Sequence, residues 1–445
     1  MNLTELSDRV ERLLKGRGLD GYEIMAGYSR NLSIEVKEGK VDTFKCSNPV
    51  GVSVRLLKGQ GMGFSFSTSL DDADLGLMID NALVGAETQT PDPDYNLPGP
   101  QRYPVIEGLF DPDLSAVAES DKIERTLELE RLVLAADPRV KRVRKATYGE
   151  SSFFVHLRNS LGVEGVYDGS SVTSSVVPIA EADGDSQMGW DFGFGARFAD
   201  IDIARIAAGA VERAVGLLGA RKIPTMRCPA VLDNHVATDI LEVLAPSFLA
   251  ENVYKGKSLL AGKVGEQCFA SCLRMRDDGI LPGGMATTPF DGEGVAQQNT
   301  LLVDGGELKG YLYDTLYGRK MGHESTGNAA RGGVKGLPHL GVTNFIIENG
   351  QTPALRLLEG IERGILLTDV IGMHTANTIS GDFSVGAAGF LVENGVIVHP
   401  VKEIAISGNI MELFRSIEQV GDDLRIFGAV SSPSLRIASL DVSGQ

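Results

Sequence analysis

A chain of 445 residues is too long to bury around one core, so two or three domains are expected. Its 43% hydrophobic and 23% charged residues are those of an ordinary soluble globular protein. The formal charge of −17 repels phosphate backbones and anionic headgroups, which argues against direct nucleic-acid binding; no run of about 18 apolar residues offers a membrane span.

The first segment, residues 1–102, opens with Leu3, Leu6, Val10, Leu13 and Leu14 at helical spacing, with acids between them and Asn2 and Glu5 placed as a cap. This predicts an amphipathic helix and not a signal peptide. Alternating runs at Ser33–Phe44 and Gly51–Leu57 predict short strands, and Asp71–Val84 a helix. TPDPDYNLPGPQRYP then has the composition of a linker. The second segment, 111–221, has the helical pattern IERTLELERLVLAA, strand runs SSFFVHLRNS and SSVTSSVVPIAEA, and a closing helix that ends at Gly219. Its basic block at 139–149 reads as the solvated edge of a strand. The third segment, 223–445, starts with the helical VATDILEVLAPSFLAENV and then turns to strands. Hairpins are expected across Asp304-Gly305-Gly306 and across Asn394-Gly395, where the residues tolerate the positive φ of a tight primed turn. The fold class is therefore α+β and multi-domain: N-terminal and central α/β layers followed by a β-rich C-terminal domain with antiparallel sheets.

Candidate chemistry is sparse. His323-Glu324 looks like half of a zinc-protease motif, but the second imidazole one turn later is replaced by Gly327, and a longer spacing meets Asn328; surrounding glycines make it a loop pair. Of four cysteines, Cys46 and Cys228 stand alone, and Cys268 and Cys272 are not a C-x-x-C pair, so reduced thiols are expected. Ser384 has Gly386 two residues after it but Asp382 two before, so the nucleophile-elbow pattern fails. Asp291 and Glu293 could serve acid/base work or hold a cation, although exposed acids at a turn are the commoner explanation. His156 and His399 fall in strand patterns and His339 follows Pro338; all three read as structural or surface residues. His374 lies in a polar, Gly-rich stretch of the kind that lines a cleft, and His235 precedes Asp239 by one helical turn.

PFDGEGV (289–295), LKGYLYDTLYGRK (308–320), STGNA (325–329), SGDFSVGAAGFLVENG (380–395) and the earlier ENVYKGKSLLAGKVGEQ (251–267) together resemble the TldD/PmbA family, historically called modulators of DNA gyrase. The resemblance spans nearly the whole chain and implies a cytoplasmic zinc metallopeptidase assembly acting on unfolded or leader-type peptides. In the TldD branch an H-E-x-x-x-H motif lies on a helix near the start of the last domain, with a later cysteine as a further ligand. Here that motif would fall near Ile240–Leu249, yet there is no histidine between His235 and His323 and no cysteine after Cys272.

The chain is thus similar to the PmbA (TldE) branch, which implies a subunit without zinc or any other cofactor of its own, paired with a zinc-bearing TldD-type partner. A self-paired peptide-binding or regulatory module is the alternative. Its β-rich segment suits an unfolded peptide that adds to a strand edge where glycines admit a second backbone. The expected peptide-binding residues are Asp291, Gly292, Glu293 and Gly294; Ser325, Thr326 and Asn328; His374; and Gly381, Asp382, Phe383 and Ser384. No catalytic residue or metal ligand is expected in the chain itself, and no nucleic-acid or membrane partner.

Overall fold

The computed structural model describes residues 3–444. The first strands and helices are α1 (Leu3–Leu14), β1 (Gly21–Lys37), β2 (Lys40–Ser47), β3 (Val50–Lys58), β4 (Gly61–Ser67) and α2 (Asp72–Thr88). After the Pro-rich stretch come α3 (Glu119–Ala136), β5 (Val140–Asn159), β6 (Glu164–Ala182), β7 (Asp185–Met188), β8 (Asp191–Gly195) and α4 (Ile203–Gly216). All eight strands form one sheet, in the order β4-β3-β1-β5-β6-β7 with β2 beside β1 and β8 beside β6. The seam of this sheet is the antiparallel pairing of β1 with β5, which runs from Glu23 opposite Asn159 to Val36 opposite Ala146.

Helices cover one half each. Leu3, Leu6, Val10 and Leu14 of α1 pack with α2 on the β1 and β3 side, while Leu129 and Val133 of α3 and Ile206 and Ala210 of α4 cover β5 and β6. The cap expected at Asn2 lies outside the described residues. The run 33–44, read above as a strand, is two strands: Glu38 and Gly39 take φ of 53° and 70°, and Lys37 pairs with Lys40 across them. The buried Glu130 carboxylate fixes this turn by accepting the amides of Glu38 (2.8 Å) and Gly39 (2.7 Å). In β5, bulges after Val140 and Val143 keep those valines inward and leave Lys141, Arg142, Arg144 and Lys145 exposed. The Pro-rich stretch has no regular structure between Gln89 and Asp113 but is tied to the third part: Tyr103 donates to the Gly294 carbonyl (2.9 Å), and Gln101 accepts from the Ala296 amide (2.8 Å).

The third part holds β9 (Met226–Leu232), α5 (Asn234–Leu244), α6 (Ala250–Tyr254), β10 (Met275–Asp278), β11 (Asn299–Asp304), β12 (Glu307–Leu308), α7 (Thr315–Met321), β13 (Ala329–Ala330), β14 (His339–Leu340) and β15 (Phe345–Ile347). It ends with β16 (Arg363–Ile371), β17 (Asp382–Glu393), β18 (Val396–Asn409), α8 (Ile410–Arg415), β19 (Ile417–Val420), β20 (Val430–Ser431) and β21 (Leu435–Ser443). One sheet has the order β12-β11-β10-β15-β20 and another β18-β17-β16-β9-β21-β19. Because β18 also pairs with β21, the strands β9, β16, β17, β18 and β21 close into a ring. Both expected hairpins form: Gly305 and Gly306 (φ 58° and 83°) join β11 to β12, and Asn394 and Gly395 (φ 52° and 76°) join β17 to β18. Helix α5 starts on an Asp233 cap, whose carboxylate accepts the Val236 amide at 2.8 Å, and gives way at Pro246 to a 3₁₀ turn.

Candidate functional site

Asp291 and Glu293 are not exposed acids at a turn; only 6% and 3% of their surfaces meet solvent. Asp291 closes the turn on itself, its carboxylate accepting the amides of Glu293 and Val295 (both 2.9 Å) and of Ala329 (3.0 Å). Glu293 reaches between domains: one oxygen takes Arg55 Nη1 at 2.6 Å, the other the Thr315 amide and hydroxyl at 3.0 and 2.7 Å. Arg55 also donates to the fully buried Glu23 (2.6 Å), and Glu23 accepts Arg331 at 2.6 Å. Arg331 continues to the Gly292 carbonyl (3.1 Å) and the Ser53 hydroxyl (3.0 Å). Burial pushes Glu23 up, but Arg55 and Arg331 outweigh it and hold the carboxyl below its ordinary range. Burial and then the Glu293 carboxylate push Asp291 up, against three opposing amides. Gly294 is required here: it has φ 85°, and a Cβ would come within 2.7 Å of Val163 and 2.8 Å of Leu157.

Ser325, Thr326 and Asn328 join the same block. Thr326 Oγ1 accepts the Tyr313 amide (2.8 Å) and donates to Asn328 Oδ1 (2.6 Å), while Ser325 donates to the Tyr313 carbonyl (3.1 Å). Asn328 donates to buried Asp277 at 2.7 Å, and the Gly292 amide donates to the Ala329 carbonyl at 2.6 Å. Asp291–Gly294 and Ser325–Asn328 are therefore brought together within the third part, and of their side chains Glu293 crosses the seam to the first part through Arg55. The neighbouring His323 follows the left-handed Gly322 cap of α7 and stacks on the Tyr313 ring at 4.6 Å.

The remaining expected residues sit elsewhere, on the loop from β16 to β17 and the start of β17. Gly381 has φ 83° and donates to the Asn377 carbonyl (2.8 Å); exposed Asp382 accepts Asn409 Nδ2 at 2.9 Å. Phe383 is buried and Ser384 exposed. His374, in a 3₁₀ turn, overhangs α5, and with Asp239 and Glu242 it lines a pocket of about 380 Å³. Neither acid was singled out above as a site residue, although their three-residue spacing puts them on one helix face.

The α5 face carries a row of carboxyls held back from ionising. Burial raises Asp239 to about 7, with Glu242, Asp369 and Asp233 adding to the shift, and partial desolvation on the helix side raises Glu242, although its side chain is exposed. Burial raises Asp233 to about 6 against the Arg213 guanidinium, and raises Asp369. A carboxyl that titrates near neutrality can take or give a proton in a groove of this kind. Burial, then Arg213 and Arg425, lower His235 to about 4, so its ring is neutral, and its Nδ1 has no hydrogen-bond partner.

This helix lies where the family resemblance would place its zinc motif. The pocket takes Asp239 and Glu242 from α5 and the His374 imidazole from the facing loop, with no thiolate, and these three side chains do not converge on a common point as zinc ligands must. Among the described residues no three of His, Cys, Asp or Glu converge as a metal-ligand group. At the other end of α5 a cavity of about 730 Å³ opens between the second and third parts. Among the described residues no helix is long and apolar enough to cross a membrane.

The chain is of the multidomain α+β class, with one eight-stranded sheet shared by its first two parts and a β-rich third part. Models of the PmbA/TldA metallopeptidase match it unit by unit: domain 1 at residues 22–86, the central domain at 112–218 and the C-terminal domain at 225–444. The chain belongs to the PmbA/TldD metallopeptidase family. Metalloprotease PmbA of Escherichia coli O157:H7 is 27% identical over 448 residues, covering 100% of this chain and 96% of that protein. The metalloprotease TldD homolog of Haemophilus influenzae is 26% identical over 463 residues, covering 97% and 94%. The crystal structure of a Thermotoga maritima protein named for modulation of a DNA gyrase superimposes with a TM-score of 0.91 at 28% identity, covering 99% of this chain and 100% of its own. TldE of Thermococcus kodakarensis shares the fold, with a TM-score of 0.89 at 23% identity over 99% and 100% of the two chains.

Proposed function

We propose that this chain is the subunit without catalytic zinc in a cytoplasmic two-chain metallopeptidase, and that it holds unfolded peptide for a zinc-bearing TldD-type partner. One observation carries the reading: α5, the helix on which the family resemblance would place the zinc-binding histidines, presents Asp239 and Glu242 instead. Hydrolysis would then belong to the partner, where a bound zinc would supply Lewis-acid chemistry to the scissile carbonyl and to water. In this chain the loop bearing His374 borders the pocket on α5, where an extended backbone can lie. The Asp291–Gly294 loop acts one step back, fixing the third part against the first sheet through Arg55, Glu23 and Arg331, and the Ser325–Asn328 loop braces it from behind through the hydrogen bond between Gly292 and Ala329.

The test is co-expression with a TldD-type chain from the same source, followed by size-exclusion chromatography, metal analysis and cleavage of an unfolded peptide. A mixed dimer with zinc counted once per pair, active where either chain alone is inactive, is the expected result. Stoichiometric zinc and peptidase activity in this chain alone would refute the proposal, and a stable self-dimer that refuses the partner would favour a stand-alone peptide-binding module.

A further inference from the structure

The larger cavity is built as a binding site rather than left as a packing gap. One wall is Trp190, the single tryptophan of the chain, which stacks on Phe192 with ring centroids 5.1 Å apart and keeps 37% of its surface open. Phe390 and Ile397, from the β17–β18 hairpin, line the cavity with it, and Ile397 is 45% exposed. The ledge under Trp190 is fixed: Arg425 pairs with Asp191, donates to the Phe192 carbonyl (2.7 Å) and lies 4.9 Å over the Phe427 ring. Glycines of α4 let that helix pack closely on the cavity wall. A Cβ on Gly209 would approach the Asp191 carboxylate to 2.0 Å, and one on Gly216 would stand 3.3 Å from Phe390.

The cavity does not stand alone. It shares its borders, α5 and β16, with the His374 pocket: Asn234, His235 and Asp369 face the first space, and Asp239, Glu242 and Val370 face the second. From His235 to Glu242 a helix rises about 10 Å, the length of about three residues of extended chain. Two recesses at that separation beside one helix suit a strand-like ligand better than a compact small molecule. Arg144 and Glu212 line the cavity as charges of opposite sign, and neither has an ion-pair partner among the described residues.

We propose that this cavity is a specificity subsite that takes one bulky apolar side chain, aromatic or long aliphatic, of an extended peptide and packs it against Trp190. The assignment rests on the peptide-holding role given above and adds which peptides are preferred. An aromatic or leucine side chain removed from water gains what an alanine cannot, worth about 10–100-fold in affinity. Arg144 and Glu212 then meet the polar groups flanking that side chain, which admits varied sequences around one apolar anchor.

The test uses the full chain and end-blocked heptapeptides of Ser, Gly and Ala with Phe, Leu or Ala at the centre, followed by Trp190 fluorescence and by calorimetry. The Phe and Leu peptides should give a saturable change in tryptophan emission and bind about 10–100-fold tighter than the Ala peptide. Ile397→Arg, at an exposed strand position, should abolish that preference with the circular dichroism spectrum unchanged, and Trp190→Ala should do the same by calorimetry. Peptide binding that ignores the central side chain, or that leaves the emission of Trp190 unmoved, overturns the subsite and leaves the peptide-holding role standing. Absence of any peptide binding overturns both. If Ile397→Arg instead converts a self-dimer into monomers, the cavity belongs to an interface between copies and the subsite is refuted.

Discussion

Replacing Glu23 by leucine removes the carboxylate that both buried guanidiniums share. In the native chain Glu23 is fully buried and accepts Arg55 and Arg331 at 2.6 Å each, while Glu293 takes the other arm of Arg55 at 2.6 Å. Without Glu23, Arg331 retains the Gly292 carbonyl and the Ser53 hydroxyl but no carboxylate contact. An uncompensated buried charge of this kind costs about 3–5 kcal/mol. The change should lower the urea midpoint by about 0.5–1 M, because the dependence of stability on denaturant steepens with chain size. Arg331→Met alone leaves Glu23 paired with Arg55 and should cost less, about 1–3 kcal/mol. Combining the two restores the charge balance, so the double variant should be more stable than the summed losses predict by about 1 kcal/mol or more. Because the two arginines hold Glu23 below its ordinary range, its contribution is complete at neutral pH and is lost as acid protonates it through its folded-state pKa. Losses that add within about 0.5 kcal/mol would refute the idea that the seam works as one network.

Other substitutions test neighbouring points. Asp239→Asn should stabilise the chain at pH 8 by about 1 kcal/mol, after allowance for solvent, and have little effect near pH 4. The carboxyl is raised to about 7, so the native state holds the extra proton between those limits and stability falls as pH rises through them; equal effects at both pH values would contradict the burial argument. Gly294→Ala forces a side chain to φ 85° against Val163 and Leu157 and should cost about 2–4 kcal/mol in thermal unfolding. His156, buried between the Ser7 hydroxyl (2.9 Å) and Glu164 (2.7 Å), ties α1 to the sheet; His156→Phe should cost about 1–3 kcal/mol and raise amide exchange first in α1.

What could be read from the residues alone follows from the range of the interactions involved. Helix α1, the Asn394-Gly395 turn and the Gly305-Gly306 turn are local statements of periodicity and positive φ, and they appear where the sequence places them. The turn inside 33–44 is harder to see because Glu38 is an unusual left-handed residue, held by Glu130 from a helix far along the chain. The seam was invisible for the same reason. Asp291 and Glu293 look like surface acids until Arg55 and Arg331 arrive, and only folding brings Arg55 to Glu293. At the candidate site, His374 was found from the polar, glycine-rich loop around it. Asp239 escaped because acids on a helix ordinarily face solvent, and nothing local says that a loop some 130 residues later will shield it; Glu242 beside it does stay exposed.

The pairing of β1 with β5 sets the order in which the nascent polypeptide can mature. Glu23 meets Asn159, so the opening strand waits for more than a hundred further residues before its longest partner exists, about 10 s at ordinary rates of translation. During that interval β1, β3 and β4 offer an unsatisfied edge, the kind of surface on which chains stick to one another or to a chaperone. A message cut short within the Pro-rich stretch would release that edge permanently, so the first hundred residues should be insoluble when made without the next sixty.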